Sequence, residues 1–350
     1  MIVVFVDMDY FFAQVEEIMN PSLKGKPVAV CVFSGRSEDS GAVATSNYEA
    51  RKLGIKAGIP IKKAKEISKD VVFLRMRKEL YQQVSDRVMT ILGRYADVVE
   101  VASIDEAYMD VTRRVRNFQE AIELALRAKT EIKEREGLSV SMGVAPNKVL
   151  AKVIADRNKP GGLGVIRPEE VMSFLENLDV GEIPGVGEVT ERALLEKGIN
   201  KLGQLRKVGL NELSRLVGKS KALYLLSLAN NTFQEPVKPR ERHHMGRYLT
   251  LPRNTRDPEE IRPFLHRAVE EAYKKVDGLP QEIYVIGIME DLDIVSRGRS
   301  YTFALSSDRA KEEAMSLLMK LLEKDGRKLR RVGVRLGKVV KTSTLEDFLH

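Results

Sequence analysis

The chain is poor in the residues that support cysteine or histidine chemistry. Cys31 is the only cysteine among 350 residues, so neither an intrachain disulfide nor a cysteine-based metal site can form. Tryptophan is absent. The four histidines lie in the last third of the chain: His243, His244, His266 and His350. Because the acidic motifs lie in the first third, a Ser-His-Asp hydrolase triad is disfavoured.

Long hydrophobic runs are also missing. No stretch of about 18 uncharged apolar residues occurs. The N-terminus lacks the basic flank and cleavage site of a signal peptide. These absences predict a soluble, cytoplasmic protein that works in a reducing compartment and makes no contact with a membrane.

The composition is that of a globular protein with a bias toward polyanions. Apolar residues make up 43% of the chain and charged residues 31%, which is enough apolar material for a core. The length predicts about two to four structural units. A net charge of +8 and a pI near 9.3 favour a nucleic-acid partner, although ordinary basic surfaces give similar values.

Strand and helix patterns alternate through the first 166 residues. The apolar run at 2–6 predicts a strand that ends in acidic residues, and helical apolar spacing follows it. Further strands are predicted at 27–33, 42–46 and 139–145, and helices at 48–53, 78–95 and 118–136. The acidic turn SIDEAYMDV predicts a hairpin around residues 104–105. This order indicates a multidomain α+β fold.

The second half of the chain changes character. Short helices separated by glycine-rich turns predict a small helical domain over 167–230. Residues 231–243 contain two prolines and no apolar periodicity, which is typical of a linker. Residues 244–341 predict the element order βαββαβ of a ferredoxin-like unit, and 342–350 form a tail.

Two acidic motifs are candidates for chemistry. Asp7 and Asp9 follow the first predicted strand, where the simplest interpretation is a strand end that faces water. Asp105 and Glu106 are adjacent carboxylates in a mostly apolar stretch and would repel each other unless cations neutralise them. Hard divalent cations held by carboxylates and phosphates are the usual solution. Spacing alone does not show that the two motifs meet.

Five motifs, taken together and in this order, resemble those of the Y-family DNA polymerases. They are DMDYFFAQVE at 7–16, GAVATSNYEARKLGIKAGIP at 41–60, SIDEAYMD at 103–110, GVAPNKVLAK at 143–152 and NKPGG at 158–162. The similarity extends through nearly all 350 positions and looks closest to the archaeal DinB-like members. It implies a right-handed polymerase that performs low-fidelity translesion synthesis, in which a primer 3′-hydroxyl attacks a deoxynucleoside triphosphate (dNTP) and releases pyrophosphate.

The resemblance implies a division into domains and a metal site. Residues 1–10 and 77–166 would form the palm, 11–76 the fingers, 167–230 a helix-hairpin-helix thumb and 244–341 a DNA-binding little finger. The carboxylates of Asp7, Asp105 and Glu106 would bind two Mg²⁺ ions, for which Mn²⁺ is an alternative, and the backbone carbonyl of Met8 would complete one site. Asp9 is expected to be structural.

A second group of residues is expected to bind the dNTP. Thr45, Tyr48 and Arg51 are spaced by three and are predicted to share one face at the start of a helix, which either holds a triphosphate or is merely solvated. By periodicity Phe12 is a core aromatic, whereas the resemblance makes it the steric gate against a ribose 2′-hydroxyl. The residues that the resemblance assigns to the dNTP are Tyr10, Phe11, Phe12, Ala44, Thr45, Tyr48, Arg51 and Lys159.

DNA contacts are expected in the thumb and the little finger. Gly185, Gly187 and the pair Gly218-Lys219 lie at helix connections whose amides can approach phosphates, although such turns often only join helices. In the last predicted strand, apolar residues alternate with basic ones, which favours phosphate contact over a merely solvated face. The basic residues expected to contact DNA are Arg330, Arg331 and Arg335, extended by Arg297 and Arg299 on a neighbouring strand.

The last residues and two other functional classes complete the set of hypotheses. Leu345, Phe348 and Leu349 have the spacing of a sliding-clamp-binding peptide, but Thr342 stands where such peptides have glutamine. The expected partners are primer-template DNA and dNTP, with the clamp as a further candidate, for a monomeric chain.

A non-catalytic DNA-binding protein would leave Asp105 and Glu106 without a purpose. Phe12 argues against a nucleotide cyclase, and the triphosphate-binding face argues against a two-metal nuclease.

Overall fold

The computed structural model describes residues 1–240 and 244–340. These residues form two compact units. The N-terminal unit comprises Met1–Val32 and Ala42–Arg240, and the C-terminal unit comprises the loop Phe33–Gly41 with the described residues from 244 to 340. Among the described residues, no helix is both long and apolar enough to cross a membrane.

The strands in the described residues are β1 (Val3–Met8), β2 (Val28–Phe33), β3 (Gly41–Ser46), β4 (Val72–Arg75), β5 (Val98–Val101), β6 (Glu106–Asp110), β7 (Val140–Ala145), β8 (Leu163–Val165), β9 (His244–Thr255), β10 (Leu279–Met289), β11 (Ile294–Ser300) and β12 (Leu329–Val340). The α-helices are α1 (Phe11–Met19), α2 (Tyr48–Lys52), α3 (Ile61–Ile67), α4 (Lys78–Tyr95), α5 (Phe118–Glu136), α6 (Lys148–Arg157), α7 (Val171–Asn177), α8 (Glu188–Leu195), α9 (Leu210–Val217), α10 (Lys219–Ala229), α11 (Pro258–Tyr273) and α12 (Ser307–Lys324).

The first strand lies at the centre of a five-stranded sheet. The strand order is β5-β6-β1-β7-β8, and β1 is antiparallel to both of its neighbours. All six residues of β1 are buried because one face packs with α4 and α5 and the other with α6. This explains why the strand is a continuous apolar run rather than an alternating one. Its acidic end is thereby fixed at one edge of the sheet.

A smaller sheet and a helical region complete the N-terminal unit. Strands β3, β2 and β4 form a three-stranded sheet in which β2 and β4 are parallel. Helices α7 to α10 pack around Leu175, Leu202, Leu213 and Leu225, and this apolar core is continuous with the one between β1 and α6. The turns between these helices carry the glycines that the sequence singled out.

The start of the predicted linker is held firmly against the N-terminal unit. Val237 is buried in the apolar core beside α10. Glu100 on β5 accepts hydrogen bonds from the amide of Lys238 and from the Arg240 side chain, and Lys148 on α6 bonds to Glu100 and Glu235. Residues up to 240 are therefore ordered by burial and ion pairing, despite their linker-like composition, whereas residues 241–243 lie outside the described part of the chain.

The C-terminal unit has the predicted element order. Strands β9 to β12 and helices α11 and α12 follow one another as βαββαβ and form an antiparallel sheet of order β11-β10-β12-β9. Val332, Val334 and Leu336 of β12 are fully buried with both helices. The alternation in β12 thus places an apolar face on the core and a basic face on the other side. The multidomain α+β class is confirmed, while the individual domain boundaries remain a prediction.

Candidate active site

The two acidic motifs meet at one edge of the central sheet. Asp7 on β1 lies directly opposite Glu106 on β6, and the amide of Met8 donates to the carbonyl of Asp105 at 2.9 Å. Asp105 occupies the turn between β5 and β6, where Ser103 Oγ donates to its Oδ1 at 2.5 Å. Ser85 on α4 supports the same turn through a hydrogen bond to the carbonyl of Ile104. Sheet pairing therefore brings Asp7 near Asp105 and Glu106, which lie about 100 residues further along the chain.

Two lysines lie against these carboxylates. Lys159 Nζ is 2.6 Å from Asp7 Oδ2 and 2.7 Å from Asp156 Oδ1. Lys152, on α6, forms an ion pair with Glu106 and lies over the ring of Phe5. Lys152 was not a sequence candidate, although its place in the GVAPNKVLAK motif was a signal that could have identified it.

Burial dominates the acid–base behaviour of Asp7. The residue is only 6% exposed, and this burial raises its pKa from 3.8 to about 7. Lys159 acts in the opposite direction, while the negative charges of Glu106 and Asp105 raise the pKa further. Without a cation other than Lys159, charge at this position is therefore disfavoured.

The donor set at this edge suits a hard divalent cation. Within residues 1–240 and 244–340, no three His, Cys, Asp or Glu side chains are already gathered closely enough to hold a metal ion. Three carboxylates nevertheless share one sheet edge, repel one another and are partly neutralised by lysines. Carboxylate oxygens are the ligands that Mg²⁺ and similar ions prefer. The residues therefore fit such a metal once the lysines move aside.

Asp9 differs from its neighbour two positions earlier. It is 1% exposed and accepts hydrogen bonds from Ser139 Oγ and Ser141 Oγ at 2.7 Å and from the amide of Gly161 at 2.9 Å. Through these hydrogen bonds, the carboxylate of Asp9 connects the end of β1 to β7, to the residue before it and to the loop before β8. The contacts support the prediction that Asp9 is structural.

The expected triphosphate residues lie near this edge but do not share one helix face. Thr45 and Ala44 belong to β3, whereas Tyr48 and Arg51 belong to α2, so the predicted helical position of Thr45 is wrong. The chain leaves β3 at Ser46, and the side chain of Asn47 caps α2 by accepting from the amide of Ala50. Polar residues are thus contributed by a strand end and a helix start, rather than by a single helical stripe.

Tyr48 is held by contacts to both sides. Its ring meets that of Tyr10 edge-on with centroids 5.1 Å apart, and the guanidinium carbon of Arg51 lies 5.0 Å from its centroid. Burial raises the pKa of Tyr48, and Asp9 adds to the effect. Asn47 and Glu17 connect these residues, because Asn47 Nδ2 donates to Glu17 Oε1 at 2.7 Å and Tyr10 donates to Glu17 Oε2 at 3.2 Å. Sequence reasoning missed both Asn47 and Glu17.

The ring of Phe12 is partly exposed, whereas Phe11 is buried in the core. Phe12 stacks on Tyr81 of α4 with ring centroids 4.6 Å apart and an interplanar angle of 17°. Tyr10, which precedes α1, adopts a left-handed conformation with φ of 37°. In this conformation the chain turns from β1, which ends at Met8, into α1, which begins at Phe11.

Two glycine turns connect helices in the helical region. Gly185 (φ +88°) and Gly187 precede α8, and Gly218 (φ +86°) lies between α9 and α10. Tyr224 on α10 donates to the carbonyl of Pro184 at 2.9 Å, which connects α10 to the first of these turns. The first turn of α8 carries two glutamates, whereas α10 begins with Lys219 and has no acid in its first turn. The turn at Gly218 is therefore the better match for a phosphate.

The basic face of β12 carries two stacked arginines. The guanidinium carbon of Arg335 lies 4.4 Å from the ring centroid of Tyr284, and that of Arg331 lies 5.9 Å from that of Tyr248. The Nε atom of each arginine is buried and has no hydrogen-bond partner among the described residues. Gly333 lies between these two arginines on the strand, where an added Cβ would lie 2.3 Å from a backbone oxygen of Arg247. The face is flat, cationic and aromatic.

Arg297 and Arg299 do not extend this face, contrary to the prediction. They lie on β11, which is separated from β12 by β10. Their register partners Val285 and Ile283 point into the core beneath the helices, and Arg299 forms an ion pair with Glu313 of α12. Alternation along β11 therefore directs both arginines to the helical side of the sheet. The predicted clamp-binding peptide at 345–349 lies outside the described residues.

Three family models match the chain. That of the impB/mucB/samB family matches residues 6–156, the HHH motif of the same family matches 168–199, and the C-terminal domain of the impB/mucB/samB family matches 242–346. Together they span more than half of the sequence.

Similar proteins and structures cover nearly the whole chain. DNA polymerase IV of Metallosphaera sedula is 68% identical over all of both chains, and DNA polymerase IV of Saccharolobus solfataricus is 55% identical over 99% of each. The solved Y-family DNA polymerase chimera Dbh-Dpo4(243-245)-Dbh is 56% identical and superposes with a TM-score of 0.95, covering 98% of this chain and 100% of that one.

Proposed function

The chain belongs to the impB/mucB/samB family of Y-family DNA polymerases, and we propose that its polymerase centre is the edge formed by Asp7, Asp105 and Glu106. It is a DNA-directed DNA polymerase, a nucleotidyltransferase with a role in translesion synthesis. As such it depends on divalent metal ions and acts on DNA and deoxynucleotides. The main support for the proposed centre is the register of β1 against β6, which places Asp7 opposite Glu106 with Asp105 in the adjoining turn.

The proposed ligands of two Mg²⁺ ions are the three carboxylates and the carbonyl of Met8. When bound, such ions would supply Lewis acidity to the primer 3′-hydroxyl and neutralise charge on the leaving pyrophosphate. The raised pKa of Asp7 supports this assignment because a buried carboxylate cluster without enough compensating charge is stabilised by cations. Mn²⁺ has the same ligand preferences and remains an alternative.

The side chains around the edge are proposed to bind the triphosphate. Lys159 pairs with both Asp7 and Asp156, and a cation bound at Asp7 would release Lys159 from that carboxylate toward a phosphate. Tyr48 and Arg51 lie in contact beside it and supply a hydroxyl and a cation. Thr45, Ala44 and the amides of residues 10–12 complete the proposed binding site. Phe12 is proposed to exclude the ribose 2′-hydroxyl, since its ring is partly exposed beside these amides.

DNA is proposed to bind through its phosphates at two places. One is the pair of glycine turns at Gly185–Gly187 and Gly218–Lys219, whose glycines and Lys219 are exposed to solvent. The other is the face of β12 that carries Arg331 and Arg335, together with the adjacent Arg330. Such contacts give affinity that is independent of base sequence and falls steeply with salt.

Binding of a sliding clamp by residues 342–350, a monomeric state and a cytoplasmic location remain proposals. Deletion of residues 343–350 without loss of clamp affinity would remove the first of these.

Primer extension by an Asp105→Ala variant tests the proposed centre. We expect extension to fall by more than the roughly 10² to 10³-fold that accompanies loss of a single electrostatic group in an active site. Affinity for primer-template DNA should be unchanged, because Asp105 is not one of the residues proposed to contact DNA phosphates. Asp86→Ala, which removes an exposed carboxylate from α4, is the matched control and should extend normally. Normal extension by Asp105→Ala would refute the assignment.

A further inference from the structure

The ring of Phe12 is backed by a side chain that nothing in its own motif predicts. Tyr81 lies on α4, about 70 residues further along the chain, and is fully buried. Its ring stacks on that of Phe12 at 4.6 Å and 17°, which is close to parallel. Stacked aromatic pairs are held by dispersion and by their quadrupoles as well as by burial. The face of Phe12 that contacts Tyr81 is therefore closed.

Tyr81 is itself fixed by a charged pair. Its hydroxyl donates to Glu16 Oε1 at 2.5 Å, and Arg77 Nε donates to the same oxygen at 2.9 Å. A second nitrogen of Arg77 pairs with Glu16 Oε2, so the carboxylate is held at both oxygens. Glu16 follows Phe12 by four residues on α1, which places both on the same helix face. The carboxylate and the aromatic ring on α1 thus both contact Tyr81 on α4.

We propose that Tyr81, held by Glu16 and Arg77, is the positioning residue that keeps Phe12 rigid and thereby sets the discrimination between deoxyribonucleotides and ribonucleotides. A steric gate excludes a hydroxyl only if it cannot retreat from it, because a ring free to move by an ångström relieves the clash. Tyr81 blocks that movement by occupying the space behind the ring. This inference rests on the proposed role of Phe12 as the gate.

The test compares kcat/KM for dCTP and CTP opposite a template guanine in the full-length protein. Phe12→Ala should lower the preference for dCTP most. Tyr81→Leu removes the ring and should raise kcat/KM for CTP by about 3- to 10-fold, the factor that corresponds to an aromatic pair, while kcat/KM for dCTP changes less. Tyr81→Phe keeps the ring but loses the bond to Glu16, and Glu16→Gln weakens the same bond. Both should relax discrimination by a smaller factor.

The matched control is Tyr95→Leu. Tyr95 lies on the same helix and donates to a glutamate, Glu131 at 2.8 Å, but makes no ring contact with Phe12. Discrimination should therefore be unchanged in this variant. In the double variant Phe12→Ala/Tyr81→Leu, discrimination should be no lower than in Phe12→Ala alone, since Tyr81 acts only through Phe12.

The outcomes separate the two claims. If Phe12→Ala discriminates as well as the wild type, the proposed gate fails, and the inference built on it fails as well. If Phe12→Ala relaxes discrimination but Tyr81→Leu lowers kcat/KM for both nucleotides equally, only the positioning role is overturned. The same holds if the double variant is additive. If Tyr81→Leu does not fold, unchanged discrimination in both Tyr81→Phe and Glu16→Gln overturns the proposal that Tyr81, held by Glu16, positions Phe12.

Discussion

Two acidic regions of the same sheet reach opposite electrostatic outcomes. Glu100 on β5 is 2% exposed, and burial alone would raise its pKa, yet hydrogen bonds from Lys148, Arg240 and the amide of Lys238 outweigh burial and bring its pKa below 4.5. Asp7 on β1 is similarly buried, but its pKa rises to about 7.

The difference lies in the ratio of donors to carboxylates. Glu100 alone receives two cations and an amide, whereas three carboxylates at the other edge share Lys159, Lys152 and one serine hydroxyl. Burial of a charge is tolerated where its partners are complete and opposed where they are not. A buried carboxylate whose charge is fully paired, such as Glu100, stabilises the fold. A group of carboxylates with too few cationic partners, such as the one at Asp7, is suited to binding cations from solution.

The largest expected effect is the loss of stability in Glu100→Gln. Lys148 would then be a buried cation whose remaining acidic partner among the described residues is the half-exposed Glu235. Removing one member of a buried pair costs about 3 kcal/mol or more of unfolding free energy. Denaturant unfolding of the metal-free protein at pH 8 measures this loss. Glu49→Gln, which breaks the exposed pair with Lys52, is the control and should cost less than about 1 kcal/mol. Equal losses in both variants would show that burial does not distinguish the two pairs.

A smaller effect of opposite sign is expected for Asp7→Asn. Neutralising a carboxylate whose pKa is raised should stabilise the metal-free protein, by on the order of 1 kcal/mol after allowance for the lost pair with Lys159. The same unfolding measurement, with chelator present, tests this sign. Addition of Mg²⁺ should then stabilise the wild type more than the variant. A destabilised variant would contradict the idea that this edge lacks compensating charge.

The smallest expected effect is a difference in the pH windows of these two variants. The folded pKa of Asp7 is raised above 3.8, so the gain in Asp7→Asn is complete above about pH 7 and declines as pH falls toward 3.8. The folded pKa of Glu100 is lowered, so its contribution is complete above 4.5 and is lost only below that pH. At pH 5, Glu100→Gln should therefore still be less stable to unfolding than the wild type. Most of the stability that Asp7→Asn gains at higher pH should have disappeared. Parallel pH profiles for the two variants would argue against distinct environments.

Elements with strong periodicity could be predicted to the residue. Helices α4 and α5 begin and end where the apolar spacing placed them, at Lys78–Tyr95 and Phe118–Glu136. The short strands β4 and β8 and the helix α6 were not predicted. A strand of three or four residues has little propensity of its own and exists because a neighbouring strand pairs with it. Thr45 fell in the predicted strand at 42–46 and was also expected on a helix face, and the structure keeps only the strand because Asn47 caps α2 after β3 ends at Ser46.

The sequence by itself determined the family, the fold class and the alternating faces of β12, because ordered motifs and side-chain periodicity are properties of the chain alone. Tertiary structure decided which carboxylates meet and which lysines face them. It also placed Tyr81 behind Phe12, and Arg297 and Arg299 on the helical side of their sheet. These relations depend on strand register and helix packing between segments far apart in sequence, and no local pattern carries that information.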